Sequence, residues 1–199
     1  VSWRYDKGDF DSGCGVCFYK QMSFFDFFKN KKSNDEDNID IKWLDHLFKI
    51  CGDEQGTHIS TFYNLIFLQL KTNVFTLLAP VNLKDEEKMK KFYTHNFSLG
   101  YVYGLIFTFL QSSSISENNE EKVHELLTVA MMKQLFNFTD MQAKGIFIDA
   151  RTTLSKDQIF MKGVRAGGDD WILFYKEDCK GMIGLHFDKS LDIIKKDLV

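Results

Sequence analysis

Two cysteines near the amino end are the residues whose type and spacing could carry chemistry. Cys14 and Cys17 form a Cys-x-x-Cys pair, which an aromatic segment follows directly. Such a pair can be a redox dithiol, half of a zinc site or the setting of a nucleophilic thiol. A redox dithiol needs a strand before it and a βαβ unit around it, and neither is predicted here. A closed zinc site needs four ligands, and the sequence has no second Cys-x-x-Cys and no closely spaced His pair. We therefore expect no metal and no cofactor.

The remaining interpretation makes Cys17 a nucleophile. Residues 13–18 (GCGVCF) resemble the nucleophile segment of papain-like cysteine proteases, Cys-Gly-Ser/Ala-Cys-Trp/Tyr. The resemblance covers six residues and departs at Val16, where the family has a small residue, and at Phe18, where it has Trp or Tyr. Asp11 stands where the family has the oxyanion-hole Gln. The resemblance implies a Cys17 thiolate at the amino end of an aromatic helix.

A cysteine hydrolase would also need a histidine base, and the sequence offers His95 or His186 for that role. Neither lies in the strand context that the resemblance implies. A second His pattern, the Glu-x-x-His of Glu121 and His124, occurs once, whereas a di-iron bundle needs two. We therefore interpret His124 as a surface residue. The sequence contains no Gly-rich phosphate loop, dinucleotide fingerprint or Gly-x-Ser-x-Gly elbow.

Composition favours one helical domain. The chain has 199 residues, of which 44% are hydrophobic and 20 are Phe, with a single Pro and 13 Gly. This length can bury a substantial aromatic core. Long apolar runs with so few turn residues favour helices over many short strands. The sequence predicts an all-α fold of about seven helices over residues 1–199.

Charge and hydropathy exclude some classes of partner. The net charge is −3 and acids are interspersed with bases, so no basic stripe for nucleic acid is present. The apolar run 97–110 is 14 residues long, shorter than the roughly 20 that a membrane span requires. It is better explained as a buried central helix. No signal peptide is visible and the chain begins with Val, so the compartment stays open: cytoplasmic is favoured, and periplasmic or secreted if a signal was removed.

Apolar periodicity predicts the order of the helices. Residues 1–20 are irregular and 30–38 form a polar charged connector. The predicted helices are 21–29, 40–52, 59–78, 85–110, 120–136, 140–150, 156–166 and 188–198.

Glycine spacing adds two expectations. Gly100 and Gly104 form a small-xxx-small pair that is typical of close helix contact. Gly167 and Gly168 are predicted to end a helix. Residues 171–175 then start a new helix with Asp169 or Asp170 as its cap. The alternative is a hairpin of 171–175 with 182–187, which would make the fold α+β.

With no complete catalytic constellation, the leading functional hypothesis is a non-enzymatic protein-binding module. A concrete form is a bacterial immunity protein that neutralises a toxin by occluding its active site. Acidic residues would contact a basic partner protein. They are Asp35, Glu36, Asp37, Asp40, Glu117, Glu120, Glu121, Asp169 and Asp170. The alternatives are a hydrolase that uses Cys17 and a helical protein that binds an apolar ligand among its Phe residues.

Overall fold

The computed structural model of the protein describes residues 42–72, 86–113, 115–177 and 183–198. Within these ranges the chain forms nine α-helices, one short 3₁₀ turn and no strand. The helices are α1 (Lys42–Cys51), α2 (Asp53–Gln69), α3 (Glu86–Thr94), α4 (Asn96–Ser112), α5 (Glu117–Phe136), α6 (Asp140–Arg151), α7 (Gln158–Lys176), α8 (Leu185–Lys189) and α9 (Leu191–Leu198). The predicted all-α fold is confirmed. The hairpin alternative is wrong, because 171–175 lie in α7 and the described part of 182–187 is a turn followed by the start of α8.

Helix α4 is central, as its apolar sequence predicts. Twelve of its 17 residues are buried, among them Phe97, Tyr101 and Leu105. No helix in the described residues is both long and apolar enough to cross a bilayer. The 97–110 run is therefore a buried helix of the core, as expected.

Helices α4 and α7 pack backbone against backbone through glycines. A Cβ added at Gly100 or Gly104 would overlap the carbonyl oxygen of a residue in α7. One added at Gly163 or Gly167 would overlap a carbonyl oxygen of α4. The close contact predicted for Gly100 and Gly104 is confirmed. The predicted helix stop at Gly167 is wrong, because α7 runs on to Lys176 and uses its glycines for packing.

Several predicted boundaries shift. The predicted helix 85–110 is divided at His95, which is extended and caps α4. The predicted terminal helix is likewise two helices divided at Ser190. The predicted cap for 171–175 is replaced by Asp157, whose carboxylate accepts from the Phe160 amide at 2.7 Å and starts α7 earlier. The helix predicted at 21–29 and the connector 30–38 lie outside the described residues.

Helix α6 is fixed by a capping box. The Thr139 hydroxyl accepts from the Gln142 amide, and the Gln142 side chain accepts from the Thr139 amide at 2.9 Å. Both bonds satisfy amides that a helix start leaves unpaired. Asn137 in the left-handed conformation ends α5 and turns the chain into α6. The orientation of α6 over the bundle matters for the site described below.

Candidate functional site

A buried carboxylate joins α4, α7 and α8. Asp170 is fully buried, and its Oδ1 lies 2.6 Å from Nδ1 of His186. Its Oδ2 accepts from the Tyr101 hydroxyl at 2.5 Å and from the Gly184 amide at 3.0 Å. The His186 amide also donates to Oδ1, at 3.0 Å. The Asp170 carboxylate thus fixes the first residues of α8 against the two central helices.

Burial keeps the Tyr101 hydroxyl of this network protonated. Burial and then the negative charge of Asp170 raise the pKa of Tyr101 well above its usual value. Tyr101 therefore stays a hydrogen-bond donor to Asp170 at physiological pH. The backbone amides of Gly184 and His186 also donate to the carboxylate, and Nδ1 of His186 lies within hydrogen-bond distance of it, so the buried carboxylate has several polar partners.

The pair has the geometry of an oriented imidazole. The His186 side chain is 32% exposed, while Asp170 holds its Nδ1 side. An aspartate that orients one ring nitrogen leaves the other for proton transfer, as in a catalytic triad. In the described part of the chain, Asp170 is the side chain that bonds this ring. The arrangement pairs a candidate base with an acid that can orient it, and no described Ser, Thr or Cys hydrogen-bonds the ring.

The other candidate base has a structural task. Nδ1 of His95 accepts from the Phe97 amide at 3.2 Å and so caps α4. Cys14 and Cys17 lie outside the described residues, so no distance from either histidine to a cysteine is given. The structure therefore adds an acid partner for His186 and a capping role for His95.

The acidic residues predicted to contact a partner lie in different settings where they are described. Glu120 is half-buried, and the exposed Glu121 is paired with Arg151. Asp169 is exposed within α7, whereas Asp170 is fully buried and engaged internally. Residues 169–170, which were predicted to cap a new helix, instead lie within α7. Glu117 begins α5. Asp35, Glu36, Asp37 and Asp40 lie outside the described residues.

His124 is a core residue, and its interpretation as a surface residue is wrong. It is 6% exposed and lies against the rings of Tyr103, Phe107 and Phe147, at centroid distances of 4.5, 5.4 and 5.2 Å. Burial lowers its pKa to about 3. Its Nε2 and the Thr128 hydroxyl are buried without a hydrogen-bond partner among the described residues. Among the residues that the structure describes, no group of three or more His, Cys, Asp or Glu could hold a metal ion.

The outer side of α6 carries an apolar strip that faces solvent. Met141 is 82% exposed and Ile148 is 60% exposed. At 3.6 residues per turn, Gly145 lies between them on the same side. We call Met141, Gly145 and Ile148 the outer strip. The strip was not predicted, because apolar residues on a helix were interpreted as core, although the seven-residue spacing of Met141 and Ile148 is a sequence signal for one helix side.

Comparison with known proteins gives no relative. No family model, no curated protein and no solved structure matches this chain.

Proposed function

We propose that this protein is a protein-binding module that presents the outer strip of α6 to a partner. The observation that carries the proposal is the exposure of Met141 and Ile148, at 82% and 60%, on one side of one helix. Large apolar side chains that are exposed together mark interaction sites more often than single exposed ones do.

Helix α6 is apolar on two opposite sides. The outer strip lies about 180° around the helix from the side that packs against the bundle. A surface helix in a monomer needs only one apolar side, directed at its own core. The second apolar side is accounted for by a partner. The inner residues are Ala143, Phe147 and Ala150.

Gly145 differs from the glycines between α4 and α7 in the space around it. Each glycine at the contact of α4 with α7 leaves space for a neighbouring backbone, whereas a Cβ at Gly145 would meet nothing within 4 Å. Glycine in a helix interior costs about 1 kcal/mol relative to Ala. Packing within the described residues gives no reason for that cost. A partner that approaches the backbone between Met141 and Ile148 would give one.

The chemistry of the strip indicates the kind of partner. Two apolar anchors about two turns apart on an exposed helix suit an apolar groove on another protein. Exposed Asp149 lies next to Ile148, and a basic rim on the groove would complement it. In a narrower form of the proposal, the partner is a toxin and this protein is its immunity protein. Binding is then expected to block the active site of the toxin.

The test is affinity copurification from the native host, with bound proteins identified by mass spectrometry. We expect one partner to bind the wild type and the Leu68→Glu control and to be lost at least tenfold with Met141→Glu/Ile148→Glu. Leu68 is a matched control because it is also a large exposed apolar residue, 48% exposed, but lies on a different helix, α2. Retention of the partner by the double variant, with its circular dichroism unchanged, would contradict the proposal.

One observation favours a second candidate, the cysteine hydrolase. The Asp170–His186 pair provides an oriented base with a partly exposed ring. A Cys17 thiolate beside it would complete the set of groups. This candidate predicts that iodoacetamide alkylates Cys17 much faster than it alkylates glutathione, and that Cys17→Ser and His186→Ala each abolish function without unfolding. Cys51 is a poor reference thiol, because burial raises its pKa. The binding proposal predicts an ordinary rate at Cys17.

A further inference from the structure

A cavity of about 320 Å³ opens between α1 and α5, with one residue of α6 at its edge. Its floor is apolar and consists of Ile50 from α1 with Leu126 and Val129 from α5. Its rim carries one lysine from each of the three helices. They are Lys49, Lys122 and Lys144.

The charge of this rim is opposite in sign to the net charge of the chain. The protein as a whole has a net charge of −3. Three lysines and one glutamate, Glu125, line the cavity, so its formal charge is 3 − 1 = +2 with His46 neutral. All three lysines are exposed, and none forms an ion pair with a described residue. Like charges that converge on one cavity repel one another, and a bound anion would relieve that repulsion.

We propose that this basic groove binds an amphipathic anion, a small molecule with an apolar body and a carboxylate or phosphate head. The apolar body would cover Ile50, Leu126 and Val129, and the head would lie among the three ammonium groups. The volume is at the lower end of that of small-molecule sites, which fits a compact ligand. Glu125 on the same rim would repel the head and direct it toward the lysines.

The inference does not depend on the proposed partner protein. It rests on α1 and α5 as well as on Lys144, whereas the outer strip lies on α6 alone. Small-molecule probes test the groove directly, so either proposal can fail without the other.

The experiment compares octanoate, octyl phosphate, octylammonium and inorganic phosphate on the full chain by titration followed with ¹H–¹⁵N NMR. We expect saturable binding of octanoate, octyl phosphate or both, with shifts at the amides of Ile50, Lys122 and Leu126. Octylammonium should bind at least tenfold more weakly because its charge has the wrong sign. Inorganic phosphate should also bind more weakly, since it lacks the apolar body. The ratio of the affinities for octanoate and octyl phosphate shows whether the groove prefers a carboxylate or a phosphate head.

Lysine variants decide whether the rim is responsible. Lys49→Gln, Lys122→Gln and Lys144→Gln should each weaken binding of the preferred probe fivefold or more. Lys162→Gln, the same change at an exposed lysine of α7, should leave it unchanged. Leu126→Trp, which fills the floor and keeps every charge, should also weaken binding. The inference would be overturned by equal affinities for octanoate and octylammonium or by the absence of saturable binding. It would also be overturned if the amide shifts lay outside the groove, or if Lys162→Gln weakened binding as much as the rim variants do.

Discussion

The Asp170 carboxylate holds the His186 ring, with Oδ1 2.6 Å from Nδ1, although 16 residues separate them in the chain. The same carboxylate accepts from Tyr101 and from the Gly184 amide. One side chain of α7 therefore determines where α8 begins. Whatever else His186 does, its orientation depends on this acid.

We expect Asp170→Ala to lower the free energy of unfolding by roughly 3 kcal/mol or more. The change leaves two buried donors, the Tyr101 hydroxyl and the Gly184 amide, and the part-buried His186 amide without their acceptor, and each orphaned buried group costs about 1–3 kcal/mol. Tyr101→Phe removes a single donor and should cost less, about 1–2 kcal/mol. Urea melts of both variants measure the two losses. If Asp170→Ala costs no more than Tyr101→Phe, the carboxylate does not anchor α8.

The same substitution should have opposite effects at two helix glycines. Gly104→Ala forces a Cβ into the Val164 backbone and should destabilise by about 1–3 kcal/mol. Gly145→Ala meets open space and should stabilise by up to about 1 kcal/mol, because Ala favours helix. Thermal and urea unfolding of the two variants check the signs. Destabilisation by Gly145→Ala would mean that its surroundings are not open in the isolated chain.

His124 should make stability fall in acid. Its pKa is about 3 in the folded chain because of burial, against about 6.5 when unfolded. The unfolded state thus takes up a proton first, and stability falls by about 1.4 kcal/mol per pH unit from about pH 6 toward pH 3. Above pH 6.5 this contribution is complete. Urea melts measure how much the free energy of unfolding falls between pH 7 and pH 5. That fall should be about 2 kcal/mol smaller for His124→Leu than for the wild type, and an equal fall in both would contradict a buried neutral His124.

Leu105 in α4 tests the central position of that helix. It is fully buried, so Leu105→Ala should cost roughly 2–5 kcal/mol through lost transfer energy and cavity formation. Leu68→Ala removes the same atoms at a position that is 48% exposed and should cost less than about 1 kcal/mol. If urea melts show comparable losses of unfolding free energy for Leu105→Ala and Leu68→Ala, the burial of Leu105 in α4 does not stabilise the fold as expected.

Helix periodicity and the Gly100–Gly104 spacing were enough to predict the fold class and one helix contact. They were not enough for Gly167, because a glycine that ends a helix and one that admits a neighbouring backbone look alike in sequence. His124 was misread since its exposure depends on where α6 packs, and not on its own helix. The Asp170–His186 pair could not be predicted, because it depends on how the chain returns from α7 to α8.

The glycine contact between α4 and α7 also limits how the molecule can move. Where side chains separate two helices, rotamer changes let one helix slide over the other. Here backbone meets backbone at four glycines, so sliding along the contact would bring main-chain atoms into collision. We therefore expect the two helices to move as one body that carries Tyr101 and Asp170 together. Helix junctions, such as those at His95 and Ser190, are then the places where we expect the backbone to bend.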